Sequence, residues 1–294
     1  MTVVDAHQHF WDPARADYPW MTGAVAPIRR RFMPDDLRPL LQRSGVDHTV
    51  VVQARSELDE TRELLQLAAG TDFIAGVVGW VDLTAPDLAD VIAELRRGAG
   101  GDKLVGVRHQ VHDEADPRWL LRQDVLRGLR VVRDAELAYD LLLRPRELPA
   151  ALKAVRTLGD LRFVIDHIAK PRIAAGARDP EWERGLKPFG RLDNVVCKVS
   201  GMVTEADWRS WRLEDVAPYV EKVTRWFGED RLIFGSDWPV CLLAASYEQV
   251  IESARQLLPN VGAFGANAVR VYGLNFVSSP LGGGDRRGSR STTA

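Results

Sequence analysis

The sequence predicts a single (β/α)8 barrel of the TIM type, on three observations. Short β-branched runs alternate with longer stretches of helical spacing. Eight such pairs can be counted along the 294 residues, and successive strand starts are separated by the length that a strand, a crossover helix and two loops require. A doubly wound open sheet shares the alternation, and the count of eight favours the barrel. The barrel is expected to occupy 1–276 as one domain. The last stretch, 277–294, is small, polar and Gly-rich, too poor in apolar groups to offset its ordering entropy, and is expected to be a flexible tail.

The elements follow in order. Strand one is 3–9 (VVDAHQH), and the segment from Phe10 to Met33 after it is too long for an ordinary βα loop. That segment is rich in aromatics and Arg, and is read as a cover over the site or as a plug packed on the barrel rim. Helix one is 34–43. The remaining strands are 48–53, 73–81, 104–109, 138–143, 162–167, 195–200 and 232–237. Their helices are 57–69, 86–97, 117–133, 145–158, 179–191, 213–227 and 246–257. Several helices open on Pro, whose missing N–H costs nothing in a first turn. A closing helix over 263–273 (AFGANAVRVYG) ends on Gly273 as its cap.

Composition narrows the partners. With 39 Lys plus Arg against 41 Asp plus Glu, the formal charge is −2, without the positive field of a general nucleic-acid binder. No 18-residue apolar run offers a membrane span. The start, MTVVDAHQHF, lacks the basic and apolar regions of a secretory signal, and two cysteines, Cys197 and Cys241, make no disulfide framework. The expected setting is the cytoplasm, the expected partner a small molecule; a homo-oligomer is left open.

In such a barrel the catalytic side chains come from the C-terminal ends of the strands. Here those positions hold His7 and His9, Gln53, Trp80 and Asp82, Arg108 and His109, Arg144, His167 and Lys170, Ser200, and Asp237. Five of the six histidines fall at or just beyond strand ends. His7 and His9 form an HxH pair on one face of their strand, and Gln8 faces the other way. Taken alone, such a pair is more simply a half-buried pair. With His167 and Asp237 it makes a three-nitrogen, one-oxygen set suited to one divalent metal ion, Zn2+ or a similar borderline cation.

These residues also carry a resemblance. HxH on strand one, His within DHIAKP and Asp within FGSDWP resemble the metal-dependent hydrolase (amidohydrolase) superfamily. VDAHQHFWDP, YPW, GVRH, FVIDHIAKP, CKVSGM, FGSDWPV and the closing GANAVRVYGL resemble its sugar-lactonase branch, which includes L-fucono- and L-rhamnono-lactonases, over nearly the whole chain. The better-known binuclear members carry a bridging lysine on strand four and a histidine on strand five. Here those strands end in Arg108–His109 and Leu142–Leu143, so the resemblance implies one metal at most, held by His7, His9, His167 and Asp237 in part or whole. A related pyrone-dicarboxylate lactonase group works without one.

A lactone is a cyclic ester, so its hydrolysis needs a polarised carbonyl, an activated water and a proton for the departing alkoxide. Asp237 is expected to be the general acid/base, with His109 and His167 as further catalytic groups. Gln53, Arg108, Lys170, Trp11, Trp80 and Trp238 are expected to bind substrate, a small sugar lactone. Arg108 and His109 are adjacent, so a regular strand turns only one of them inward. A dicarboxylate lactone of the pyrone or muconolactone type is the alternative, clamped by Arg55, Arg108 and Arg144. A decarboxylase on the same scaffold and a non-enzymatic binding protein are the remaining readings.

Overall fold

The computed structural model describes residues 2–276 apart from 177 and 259; the tail expected at 277–294 lies outside the described residues. Eight parallel strands form one sheet in sequence order: β1 Val4–Gln8, β2 His48–Val52, β3 Ile74–Gly79, β4 Leu104–His109, β5 Ala138–Leu141, β6 Phe163–Ile165, β7 Val195–Val199 and β8 Leu232–Phe234. The sheet closes just above β8. Asp237 N–H donates to the His7 carbonyl at 2.8 Å, and His9 N–H donates to the Trp238 carbonyl at 2.7 Å.

Around the sheet lie α1 Pro34–Ser44, α2 Leu58–Ala69, α3 Leu88–Arg97, α4 Gln123–Asp134, α5 Leu148–Thr157, α6 Pro180–Leu186, a short α7 Met202–Glu205, α8 Leu213–Phe227 and α9 Tyr247–Leu257. α10, Ala266–Tyr272, ends on Gly273 in the left-handed conformation at φ 64°, as a C-terminal glycine cap should. Its Ala268, Val271 and Tyr272 pack with Val4, Ala6, Val50, Val164, Val196 and Ile233, which fill the lower barrel. A second apolar cluster fills the layer between sheet and helices, with Leu64, Leu129 and Val223 among its members.

Two departures from the expected strands shape the site. β6 ends at Ile165 and β8 at Phe234, two and three residues short of His167 and Asp237. The chain instead turns into left-handed backbone at His167, Ile168, Ala169 and Lys170 (φ 46° to 60°) and at Asp237 (φ 58°). Such conformations cost L residues about 1–2 kcal/mol each and persist where surrounding structure holds them. Apolar and polar periodicity carries no mark of them.

The second departure is in β1. Val4 and Ala6 face the barrel interior, whereas Asp5 accepts from Tyr247 of α9. Strict alternation would send His7 the way of Asp5. The β1–β2 register shifts between Asp5 and Gln8, and this irregularity re-aims His7 into the barrel, as bulges beside sites do.

Candidate active site

Four side chains converge where the barrel closes. Asp237 Oδ1 lies 3.4 Å from His9 Nε2, 3.7 Å from His7 Nε2 and 3.9 Å from His167 Nε2. His7 Nε2 and His9 Nε2 stand 3.2 Å apart. All four residues are buried. His9 Nδ1 donates to the Val52 carbonyl at 2.7 Å; a carbonyl only accepts, so a neutral His9 ring presents a bare Nε2 to the site. His167 Nδ1 is held by the Ser200 hydroxyl at 2.9 Å. Two glycines make room: a Cβ on Gly235 would meet His7 Cβ at 2.5 Å, and one on Gly201 would meet His167 Nδ1 at 2.5 Å.

Burial, above all, holds His7 and His167 well below the ordinary histidine range. Burial alone would raise Asp237; the adjacent His167 and His9 outweigh it and keep the carboxyl below its usual range. The site thus offers one carboxylate among three imidazoles. His7, His167 and Asp237 each bring one ligand atom to within 4.8 Å of the others, with His9 beside them. Buried imidazole nitrogens with one carboxylate oxygen are the donor set that suits zinc.

Above this group opens a cavity of about 360 Å³. Arg108, Gln110, Arg144, Lys170 and Glu205 line it on the polar side, and Trp20, Val25, Val240 and Leu243 supply apolar surface. Its cations are largely neutralised within the protein. Lys170 Nζ meets Glu205 Oε1 at 2.6 Å, and Arg108 Nη1 meets Asp166 Oδ2 at 3.0 Å. Arg55 lies off this cavity, against Glu57, Glu60 and Glu63. Among the described residues, Arg144 has no carboxylate within ion-pair distance. A larger cavity, about 590 Å³, lies between the first loop and α2 and contains none of the converging histidines.

Several expected site residues stand elsewhere. Arg108 takes the inward position at the end of β4, so His109 points away: its Nδ1 accepts from Trp80 Nε1 at 3.0 Å, its Nε2 faces Glu114 Oε1 at 2.7 Å, and its ring stacks on Trp119. His109 and Trp80 therefore brace each other outside the cavity. Gln53 is buried beneath it, donating to the Arg108 carbonyl at 3.2 Å. Trp11 is locked by its N–H to the Ile28 carbonyl at 3.1 Å and by edge contacts with Trp20 and Phe32. Trp238 packs against Phe10 and Phe32. Rim tryptophans were expected on the substrate, but Trp11 and Trp238 fill the space under the first loop, where burying their area anchors that loop.

Trp20 and Val25 are the residues of that loop that reach the cavity, Trp20 held by its N–H to the Ala54 carbonyl at 3.1 Å. The loop both covers the site and plugs the rim. Sequence reading also missed Trp208, Thr204, Glu205 and His112 on the cavity wall, and the buried charges Asp140, Asp166 and Lys198 beneath it. Two of these carried a signal: Asp140 and Lys198 are charges inside otherwise apolar strands.

The family profile described as Amidohydrolase matches residues 4–274. An L-fucono-1,5-lactonase of Burkholderia multivorans is 41% identical over 288 residues, covering 92% of this chain and 96% of that protein. One from Burkholderia ambifaria is 42% identical over 284 residues, again covering 92% and 96%. Among solved structures, an amidohydrolase from Burkholderia multivorans with bound zinc is similar at a TM-score of 0.88 and 38% identity, covering 94% of this chain and 100% of that one. The profile spans nearly the whole described barrel, and the converging histidines and aspartate lie within it. This chain belongs to the amidohydrolase family.

Proposed function

We propose that this protein is a hydrolase that opens the ester ring of a small, uncharged sugar lactone of the L-fucono-lactone type. The observation that carries the reading is the pairing of cavity cations: above a floor of His7, His9, His167 and Asp237, Lys170 and Arg108 already face carboxylates. A dicarboxylate lactone needs two free clamps, and Arg144 is the one cavity cation without an ion pair among the described residues. Hydroxyl groups ask for the mixed donors and acceptors that Gln110, Thr204 and Glu205 present. The two fuconolactonase relatives, each more than 40% identical, support the same substrate class.

In the proposed reaction Asp237, ionised and buried among imidazoles, takes a proton from the water that attacks the lactone carbonyl carbon. The bond from that carbon to the ring oxygen then breaks, and Asp237 returns the proton to the departing alkoxide, leaving a hydroxy acid. His9 is fixed by Val52 and His167 by Ser200, so neither ring must reorganise as charge develops. A divalent cation held by His7, His167 and Asp237, with His9 beside them, would supply Lewis-acid polarisation of the carbonyl and lower the pKa of a bound water. Zinc is the proposed ion on the donor set. Trp20 and Val240 shelter the reacting ester from bulk water. The proposed compartment is the cytoplasm, in keeping with two buried free thiols, Cys197 and Cys241.

The test is acid release, followed with a pH indicator, over a panel containing L-fucono-lactone, other aldonolactones and a pyrone dicarboxylate, with and without chelator and with elemental analysis of the protein. Hydrolysis of the neutral lactones and loss on chelation are expected. Activity on the dicarboxylate alone overturns the substrate class, and tight binding with no acid release from any lactone overturns the enzyme.

A further inference from the structure

Beneath His7 lies a buried charge chain that the proposed reaction does not use. Lys198, in β7, is fully buried. Its Nζ stands 2.8 Å from Asp140 Oδ2, 2.8 Å from Asp166 Oδ1 and 3.1 Å from His7 Nδ1. Tyr272 OH reaches Asp140 at 2.8 Å, and Arg108 covers the other oxygen of Asp166. Two carboxylates, each 2.8 Å from Nζ, hold Lys198 as an ammonium inside the barrel. The lysine therefore stays a pure donor.

The same ring nitrogen of His7 also lies 3.3 Å from Asp166 Oδ1. Asp166 is an ionised, pure acceptor, with Lys198 Nζ 2.8 Å from its Oδ1 and Arg108 Nη1 3.0 Å from its Oδ2. Donation from Lys198 requires a lone pair on Nδ1 and places the ring proton on Nε2. Acceptance by Asp166 requires Nδ1–H and leaves Nε2 bare. A neutral imidazole satisfies one or the other. The opposite edge of the ring repeats the competition. His9 Nε2 sits 3.2 Å from His7 Nε2 and, with the single His9 proton on Nδ1 toward Val52, calls for a proton there. Arg108 Nη1, 3.4 Å from the same atom, calls for a lone pair. On both edges the closer neighbour, Lys198 and then His9, favours Nε2–H.

We infer that Lys198 and Asp166 are positioning residues that give His7 two tautomers: Lys198 holds the proton on Nε2 while no cation is bound, and Asp166 accepts it as Nδ1–H when Nε2 ligates a divalent metal. The second half rests on the metal reading above. The first stands on the contacts of His7 alone. Uptake of a cation at this site would then move one ring proton across His7 without changing the protein's charge.

Long-range 1H–15N spectra of the full chain labelled at histidine test this, with His7 assigned against His7→Gln. Chelator-treated protein should show His7 protonated at Nε2, and equimolar zinc should move the proton to Nδ1. Lys198→Met should show Nδ1–H already in the chelator-treated protein. Asp166→Asn should keep Nε2–H there and weaken zinc binding 10–100-fold in a dye competition, the usual cost of losing a partner behind a metal ligand. Nδ1–H in the chelator-treated natural protein overturns the inference, as does a Lys198→Met spectrum identical to it. Should Lys198→Met not fold, the spectra of the natural protein still decide the tautomer. A protein that takes up no zinc removes the metal reading and the loaded form, and the chelator-treated spectrum then judges Lys198 by itself.

Discussion

The backbone N–H of Asp237 donates to the carbonyl of His7 at 2.8 Å, so the bond that closes the barrel also sets the aspartate against the imidazoles. The fold uses the main chain of Asp237; the proposed reaction uses its carboxylate. Asp237→Asn should therefore lower kcat by about 10²–10⁴-fold, the worth of a positioned general acid/base, and leave the thermal midpoint within a few degrees. Steady-state lactone hydrolysis and a melting curve on the same sample check both halves. Near-normal turnover would exclude the aspartate as the proton carrier.

Gly235 is the steric counterpart of that closure. A methyl there would lie 2.5 Å from His7 Cβ, backbone-anchored on both sides, so relief must come from movement of β1 or β8. Gly235→Ala should cost about 1–3 kcal/mol of stability, as overpacking does, and should weaken metal binding together with activity by displacing His7. Urea unfolding and a zinc titration read the two effects. Loss of neither would mean that His7 is not confined at this point.

How much of this was legible in the sequence differs residue by residue. The barrel was legible because strand and crossover helix repeat eight times in order, and His7, His9, His167 and Asp237 because they stand at or just beyond the ends of β1, β6 and β8. What aims them was not. His7 turns inward through a register shift in β1, and His167 and Asp237 are carried on left-handed turns; neither leaves a trace in hydrophobic period. His109 and Arg108 are adjacent, so the orientation of one decides the other, and the sequence alone offers no sign of which. Trp11 and Trp20 look alike in the same loop, yet tertiary packing buries the first and opens the second to the cavity.

Glu60 supplies a pH prediction away from the reacting groups. Its Oε2 accepts from the backbone N–H of Ala54 and Arg55 at 2.9 and 2.7 Å, but burial pushes its pKa from 4.5 up to about 7. A folded-state pKa above the unfolded one means that the folded protein holds the proton more tightly. Its stabilising contribution is complete below about pH 4.5 and is lost as pH rises through 7. Glu60→Gln keeps an acceptor oxygen and removes the titration. The natural protein should therefore lose stability relative to Glu60→Gln between pH 5 and pH 8, by a few kcal/mol as an order of magnitude. Urea midpoints at the two pH values measure it, and parallel pH dependences would refute the assignment to Glu60.

Trp11 and Trp20 should separate stability from substrate binding. Trp11 is buried in an aromatic cluster with Tyr18, Trp20 and Phe32, so Trp11→Ala should destabilise the protein by about 3–5 kcal/mol, the usual cost of truncating a core tryptophan. Trp20 is half-buried, lines the cavity and is fixed by the Ala54 carbonyl. In the proposed reaction, Trp20→Ala would remove contact made equally to the lactone and to its transition state. Its main effect should be a KM raised about tenfold with kcat little changed, the pattern expected when uniform binding is lost. Melting curves and steady-state kinetics of the two variants decide the matter: if Trp20→Ala melts as early as Trp11→Ala and leaves KM alone, Trp20 belongs to the plug and not to the pocket.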